Sequence, residues 1–212
     1  VKIVKPYAKI IESELLAGAL ARVEHAARIS HRSEDETSAN TEKFIRAVVL
    51  QHGDWSVTEH VSASVEFMVD RGITHEIVRH RIAAYTQEST RFVNYAKKMP
   101  PTFICPNEGE PDPEWVAAIE QSEASYRALL AKGWRPQEAR SVLPNAISSK
   151  IVMTCNLRSW RHFFLMRTSK EAHPQMRQVT IPLLAEFQRL VPVLYEDIVP
   201  ESRQVDNIAK GR

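Results

Sequence analysis

The sequence predicts an α+β fold built as one domain, and three observations carry that expectation. Its 212 residues, 43% hydrophobic and 25% charged, suffice for one good core and are ordinary for a soluble globular chain. Two stretches, residues 61–69 and 147–156, have strand character. Helical segments outnumber them, without the regular strand–helix alternation that a doubly wound sheet requires.

The elements follow in chain order. Residues 11–29 space Leu15, Leu16, Leu20 and Val23 at helical intervals. Asn40-Thr41-Glu42 reads as the start of a helix over residues 41–52, which Gly53 ends. Val61, Ala63, Val65, Phe67 and Val69 alternate with Ser62, Ser64 and Glu66, the pattern of a half-buried strand, with Met68 the exception. Asp70-Arg71-Gly72 turns the chain into a short helix over residues 73–81, whose end carries Arg79-His80-Arg81. The proline-rich residues 99–113 read as a long surface connection. Residues 111–133 read as a capped helix closed by Gly133, and residues 135–144 as a short helix bracketed by prolines. Residues 158–167 and 174–191 complete the helices, with Pro182 a kink or break in the last.

Composition narrows the function classes. A formal net charge of +2 gives no basic field, which disfavours general nucleic-acid binding. Cys105 and Cys155 form no C-x-x-C pattern, so neither a disulfide framework nor a zinc ribbon is expected. No signal-peptide core opens the sequence and no apolar run approaches the ~20 residues of a membrane helix, so a cytoplasmic enzyme or binding protein, with no membrane partner, is the expectation. The six glycines are isolated from one another, so there is no G-x-G-x-x-G and no P-loop. A nucleotide must then be held by side chains, and arginine, whose planar fork meets phosphate in a bidentate way, outnumbers lysine here.

Arg79, Arg81, Arg91, Arg140, Arg158 and Arg167 sit beside apolar or aromatic residues, whereas Arg127, Arg135, Arg189 and Arg203 read as ordinary solvated or salt-bridged helix residues. Consecutive helical residues point in different directions, so Arg79, His80 and Arg81 cannot all face one carboxylate. The blander alternative is a charged helix end interacting with the helix dipole. Glu59-His60, His80 and His52 invite a metal reading, but no H-E-x-x-H occurs and no first-shell template fits, so no metal is expected. Ser89 lacks a G-x-S-x-G elbow, which disfavours a serine hydrolase.

Arg79-His80-Arg81, Gln87, Ser89 and Arg91 together fit R-H-R-x-x-x-x-x-[EQ]-x-S-x-R, and the chain thereby resembles the flavin-dependent thymidylate synthases. The likeness extends over most of the chain. Trp55-Ser56 and Glu59-His60 fit an upstream block, residues 138–144 resemble an A-R-x-x-L-P segment, residues 156–167 an N-x-R-x-x-x-[NH]-F-x-x-x-R block, and residues 172–177 also fit. The resemblance implies a small, mostly antiparallel sheet flanked by helices, assembled as a homotetramer with active sites between subunits. It implies conversion of dUMP to dTMP, with 5,10-methylenetetrahydrofolate as carbon donor and FAD, reduced by NADPH or NADH, as hydride carrier. By the resemblance, Arg79, His80, Arg81, Ser56, Asn156, Arg158, His162 and His173 lie on the flavin. Glu76, Gln87, Ser89, Arg91 and Arg140 hold the nucleotide. Arg167 sits against the uracil as the catalytic residue, where a fixed cation could stabilise negative charge as C5 becomes nucleophilic. No cysteine falls in these motifs, in keeping with a mechanism that lacks a cysteine nucleophile.

The chain also departs from the family pattern. Asp54 stands where the block before Glu59-His60 often has histidine, Glu76 where glutamine is common, and His162 where asparagine is common. An acid near a substrate phosphate is repulsive unless an arginine neutralises it. Two rival readings therefore stand beside the enzyme. One is an inactive or regulatory relative that binds nucleotide without turnover. The other is a nucleic-acid module using the R-H-R cluster, whose affinity would fall steeply with salt.

Overall fold

A computed structural model of the chain describes residues 1–30, 32–33, 39–97, 99–107 and 109–200. Arg203, read above as a solvated residue, lies outside them. The chain divides into two compact units, Val1–Lys9 with Ser64–Thr154, and Ile10–Ala63 with the segment from Cys155 onward. Among the described residues, helices outnumber strands and no regular strand–helix alternation is present, as expected of an α+β class. A four-stranded sheet has the order β2 (Tyr7–Ile11), β3 (Ser62–Asp70), β6 (Ser148–Asn156), β4 (Ala84–Gln87), and β4 runs antiparallel to β6 with Ala84 opposite Thr154 and Gln87 opposite Ile151. β1 (Lys2–Ile3) and β5 (Thr102–Phe103) form a separate parallel pair.

In the first unit, alternation along β3 buries Val65, Phe67 and Val69 and leaves Ser64, Glu66 and Met68 half-buried, as the period of two dictates. Asp70 is the N-cap of α3 (Arg71–Ile77), its Oδ1 accepting the Ile73 N–H at 2.8 Å. The helix thus begins two residues earlier than the sequence suggests. A Cβ on Gly72 would come within 3.2 Å of that capping oxygen, so the glycine makes room for the cap. α4 (Pro113–Ala131) starts at the Asp112 cap and closes in a Schellman arrangement. There the Trp134 N–H donates to the Leu129 carbonyl and the Gly133 N–H to that of Leu130, with Gly133 at φ +90°. α5 (Pro136–Ala139) follows. Tyr95, Phe103, Ile119, Tyr126, Ala139 and Ile147 form this unit's buried cluster. Residues 99–113 are accordingly not a plain surface connection. Phe103 and Ile104 are fully buried, and the Ile104 N–H donates to the Ala146 carbonyl at 2.9 Å.

The second unit is mostly helical: α1 (Ala19–Ile29), α2 (Thr41–Ile45), α6 (Leu157–Arg167), α7 (Pro174–Leu190) and α8 (Pro192–Tyr195). The continuous helix read over residues 11–29 is broken. β2 ends at Ile11, Glu12 takes φ +55°, Ser13–Leu16 form one 3-10 turn, and α1 starts only after Gly18. Leu15 is consequently exposed while Leu16 and Val23 are buried. The segment from Asn40 is helical as read, with Arg46–Gln51 widening into a π-turn before Gly53 at φ +82°. α6 buries Leu157, Trp160, Phe163 and Phe164 along one stripe, and its three rings form one cluster with Phe187 and Tyr195 at neighbouring centroid distances of 5.0–5.9 Å. The polar ends of this cluster are satisfied, since Trp160 Nε1 donates to the Ala63 carbonyl at 3.0 Å and the Tyr195 hydroxyl to that of Leu157 at 2.9 Å. α7 runs through Pro182 without a break.

Candidate active site

Eight of the residues singled out in the sequence fall in the first unit: Glu76, Arg79, His80, Arg81, Gln87, Ser89, Arg91 and Arg140. α3 ends before the R-H-R run, so Arg79, His80 and Arg81 occupy a tight turn beyond it rather than helical positions. The N–H groups of Arg79 and His80 reach back to the carbonyls of Glu76 and Ile77, each at 3.2 Å. The Tyr85 hydroxyl fastens that turn from β4, within hydrogen-bond reach of the carbonyls of Ile77 (3.0 Å) and His80 (2.5 Å). Arg79 and Arg81 are exposed, and neither forms an ion pair among the described residues. Gln87 is turned inward, its Nε2 donating to Thr74 Oγ1 at 2.9 Å and Ser149 Oγ at 3.2 Å. It therefore ties β4 to α3, leaving its amide oxygen as the group available to a ligand.

Beyond β4 the chain makes a turn that brings Ser89, Thr90 and Arg91 beside the short helix carrying Arg140. Arg140 Nη1 donates to Thr90 Oγ1 at 2.8 Å, and Arg91 Nε to Gln137 Oε1 at 3.2 Å. Thr90, Gln137 and Arg140 line one cleft of about 410 Å³. The turn is braced by Glu88, which accepts the Tyr95 hydroxyl at 2.8 Å. Burial, then the Glu88 charge, holds that hydroxyl protonated far above its ordinary range.

The other six, Ser56, Asn156, Arg158, His162, Arg167 and His173, fall in the second unit. Asn156 caps α6, its Oδ1 accepting the Ser159 N–H at 2.8 Å. From that cap, Arg158 and His162 recur one turn apart on the exposed face opposite the aromatic stripe. Arg158 Nη1 lies 2.6 Å from Glu59 Oε1, on the same 3-10 segment (Trp55–His60) that carries exposed Ser56. Arg167 is the last residue of α6, its carbonyl accepting Thr180 Oγ1 at 2.8 Å from α7. His173 caps α7, its Nδ1 accepting the Gln175 N–H at 3.2 Å, so one ring nitrogen has a structural task.

The Thy1 family model, described as thymidylate synthase complementing protein, matches residues 11–193. The chain belongs to this family. A flavin-dependent thymidylate synthase of Mycobacteroides abscessus is 36% identical over 203 residues, spanning 85% of this chain and 80% of its own length. One of Corynebacterium efficiens is 34% identical over 218 residues, spanning 92% and 83%. Among solved structures, the UMP/dUMP methylase PolB of Streptomyces cacaoi, bound with 5-Br dUMP, superposes with a TM-score of 0.75 at 24% identity, covering 92% of this chain and 96% of that one.

Every motif residue named above lies inside the span of the Thy1 match. Of the departures from the family pattern, Asp54 is exposed and its side chain caps nothing, while Glu76 is half-buried in the last turn of α3. Sequence reasoning passed over Tyr85, Glu88, Thr90 and Arg71. The first three shape the turns that hold the motif residues, and they look like linkers between motif letters. Arg71 also lines the Arg140 cleft. Its signal was an arginine directly after the buried β3 run, which a plain turn does not need.

Proposed function

We propose that this chain is a flavin-dependent thymidylate synthase that methylates dUMP to dTMP with 5,10-methylenetetrahydrofolate, working as a single-domain subunit of a cytoplasmic homotetramer. The observation that carries the reading is the family match over residues 11–193, with the R-H-R…S…R motif intact, its R-H-R on a hydrogen-bonded turn after α3 and its Ser89 and Arg91 on the turn after β4. FAD bears a pyrophosphate and a planar ring. The donor set suits it, because Arg79 and Arg81 offer exposed guanidiniums without internal ion pairs, and Asn156, Arg158, His162 and Ser56 offer further polar groups on the second unit. Bound flavin, reduced by a nicotinamide cofactor such as NADPH, supplies the hydride of the reaction.

The chain's own residues bind and polarise. Arg91, Arg140 and Ser89 present the guanidiniums and hydroxyl that a nucleotide phosphate requires. Gln87, its amide nitrogen fixed by Thr74 and Ser149, presents a fixed acceptor. Arg167 stabilises negative charge developing on the pyrimidine as C5 attacks. His80, held by its carbonyl through Tyr85, and His173 complete the flavin set. Ser89 positions substrate and is no nucleophile, since its Oγ accepts the Arg91 N–H at 3.3 Å and forms no hydrogen bond to a general base among the described residues.

The test is an absorption spectrum of the protein with FAD, before and after anaerobic NADPH, with and without dUMP, followed by a dTMP assay with methylenetetrahydrofolate. A flavin band that bleaches, a dUMP-dependent bleaching rate and dTMP formation are expected. Arg167→Ala should keep flavin and lower methylation by orders of magnitude. Binding of dUMP with no dTMP formed would favour the inactive relative, and unchanged activity in Arg167→Ala would remove the catalytic assignment.

A further inference from the structure

We propose that Arg177, assisted by Thr180, is a positioning residue for the reaction: the two side chains hold the backbone from which Arg167 is aimed at the pyrimidine. The inference rests on the reading of Arg167 as the catalytic residue. Arg167 closes α6 and is half-buried. The last carbonyls of a helix have no intrahelical donor, and an end left in that state frays. A side chain carried on such an end is aimed only as well as the end itself is held.

Here the donors come from α7. The Arg167 carbonyl accepts Thr180 Oγ1 at 2.8 Å, and the carbonyls of Thr168 and Ser169 accept Arg177 Nη1. Successive carbonyls, beginning with that of Arg167 itself, are thus held by side chains of one neighbouring helix, and both side chains are buried, Arg177 at 6% exposure and Thr180 at 0%. Thr180 is the weaker partner, because its single hydroxyl proton is shared with the Met176 carbonyl at 2.9 Å. Arg177 brings charge-assisted bonds, which are shorter and stronger than neutral ones. The way α4 ends shows that a helix in this chain does not need such a device. α4 closes with backbone bonds around Gly133, whereas residues 168–173, which follow α6, contain no glycine, and Thr168 stays near helical geometry at φ −100°, ψ −4°. Thr168 is itself tied back to the Phe164 carbonyl by its N–H at 2.9 Å and by its Oγ1 at 2.8 Å. Taking a guanidinium out of water is costly, so its placement on the carbonyls next to Arg167 buys rigidity where a plain stop would do for the fold alone. Arg177 also lies one turn after His173, whose carbonyl accepts the Arg177 N–H at 3.1 Å, so α7 is anchored to the same turn it holds.

The test is steady-state dTMP formation by the full-length protein with FAD, well below its melting transition, together with fluorescence titration of FAD. The variants are Arg177→Met, Arg177→Lys, Thr180→Val, Arg167→Ala and the double variant Arg177→Met/Arg167→Ala. Misplacing a reacting group by about 1 Å costs roughly 100-fold, so kcat of Arg177→Met should fall about 10- to 100-fold while FAD affinity stays within about threefold. Arg177→Lys keeps a cationic donor and should lie between Arg177→Met and the unaltered chain. In the Arg167→Ala background, Arg177→Met should lower the residual rate by no more than about twofold, because both changes act through one group. A full further loss in the double variant overturns the inference, and so does a parallel fall of kcat and FAD affinity, since Arg177 would then support the fold rather than Arg167. Unchanged kcat in Arg177→Met, with Arg167→Ala impaired, also overturns it and leaves the catalytic reading standing. Unchanged activity in Arg167→Ala overturns both. Thr180→Val guards against a folding failure of Arg177→Met: it removes one neutral bond from the same clamp and should lower kcat about 3- to 10-fold with FAD affinity kept, and an unchanged kcat there overturns the inference if Arg177→Met does not fold.

Discussion

Arg177 offers a quantitative check on how the end of α6 is held. Its side chain is buried, and its Nη1 donates to the carbonyls of Thr168 and Ser169, the two residues after Arg167. Those carbonyls follow the last helical turn, where no intrahelical donor remains for them. Arg177→Met keeps the aliphatic stem and removes the guanidinium. Each charge-assisted bond is worth about 1.5–3 kcal/mol, offset in part because a charge no longer has to be kept from water, so a net loss of about 2–4 kcal/mol is expected. For a chain of this size, about 2–4 °C per kcal/mol converts that into a fall in Tm of roughly 5–15 °C. The assay is thermal and urea denaturation followed by circular dichroism. A fall of less than about 2 °C would refute the argument, because the Thr168 and Ser169 carbonyls would then have lost the guanidinium at no cost.

Three further outcomes concern buried groups and the cysteines. Phe164→Ala removes a ring that contacts Trp160, Phe163, Phe187 and Tyr195 and should cost about 3–5 kcal/mol, read by urea denaturation; a loss below about 1 kcal/mol would mean the cluster closes over the gap. Burial pushes the Cys155 thiol up from 9.0 to about 12. The folded state then keeps a proton that the unfolded state releases, so this contribution is full below pH 9.0 and falls with rising pH until about 12, by at most about 1.4 kcal/mol per pH unit. Cys155→Ala should flatten the alkaline limb of the stability curve, and an unchanged limb would contradict it. At pH 8 a thiol reagent should modify partly exposed Cys105 well before buried Cys155, read by mass spectrometry of the peptides.

Strong local signals were legible in the sequence. The alternating β3 and the capped and Gly-closed α4 announce themselves through period and punctuation, whereas the Asn156 cap of α6, a residue read as the end of a strand, does not. β4 was missed because A-Y-T-Q alternates too briefly to register and is a strand only through pairing with β6, a contact between residues more than sixty apart in sequence. The helix over 11–29 was overread because apolar spacing does not register the backbone reversal at Glu12, whose φ of +55° is rare for a side-chain-bearing residue. The motif residues of the candidate site are legible as positions in a pattern, but their local tasks are not. Nothing in the letters says that Gln87 faces Thr74 and Ser149, or that Arg71 shares a cleft with Arg140.

Ion pairing sorts the arginines by what they are for. Arg127 with Glu123 and Arg135 with Glu138 are surface pairs within one helix or turn, the plain role read for them in the sequence. Arg46 with Glu196 and Arg161 with Asp197 tie the second unit's segments together. Arg79, Arg81, Arg91 and Arg140, the motif arginines of the first unit, have no carboxylate partner among the described residues. Arg158 breaks this division, since it is a motif residue paired with Glu59 at 2.6 Å. The pair is exposed on both sides, with side chains 54% and 43% accessible, so water screens it and it is easily exchanged. If Glu59 is only a placeholder, Glu59→Gln should leave Tm within about 2 °C and raise FAD affinity by no more than about fivefold, the ceiling for one exposed pair. If Glu59 instead aims the guanidinium at the ligand, the same variant should lose FAD affinity tenfold or more. Fluorescence titration of FAD decides between the two, and a large loss would mean that the division between paired scaffold arginines and unpaired ligand arginines does not hold for the second unit.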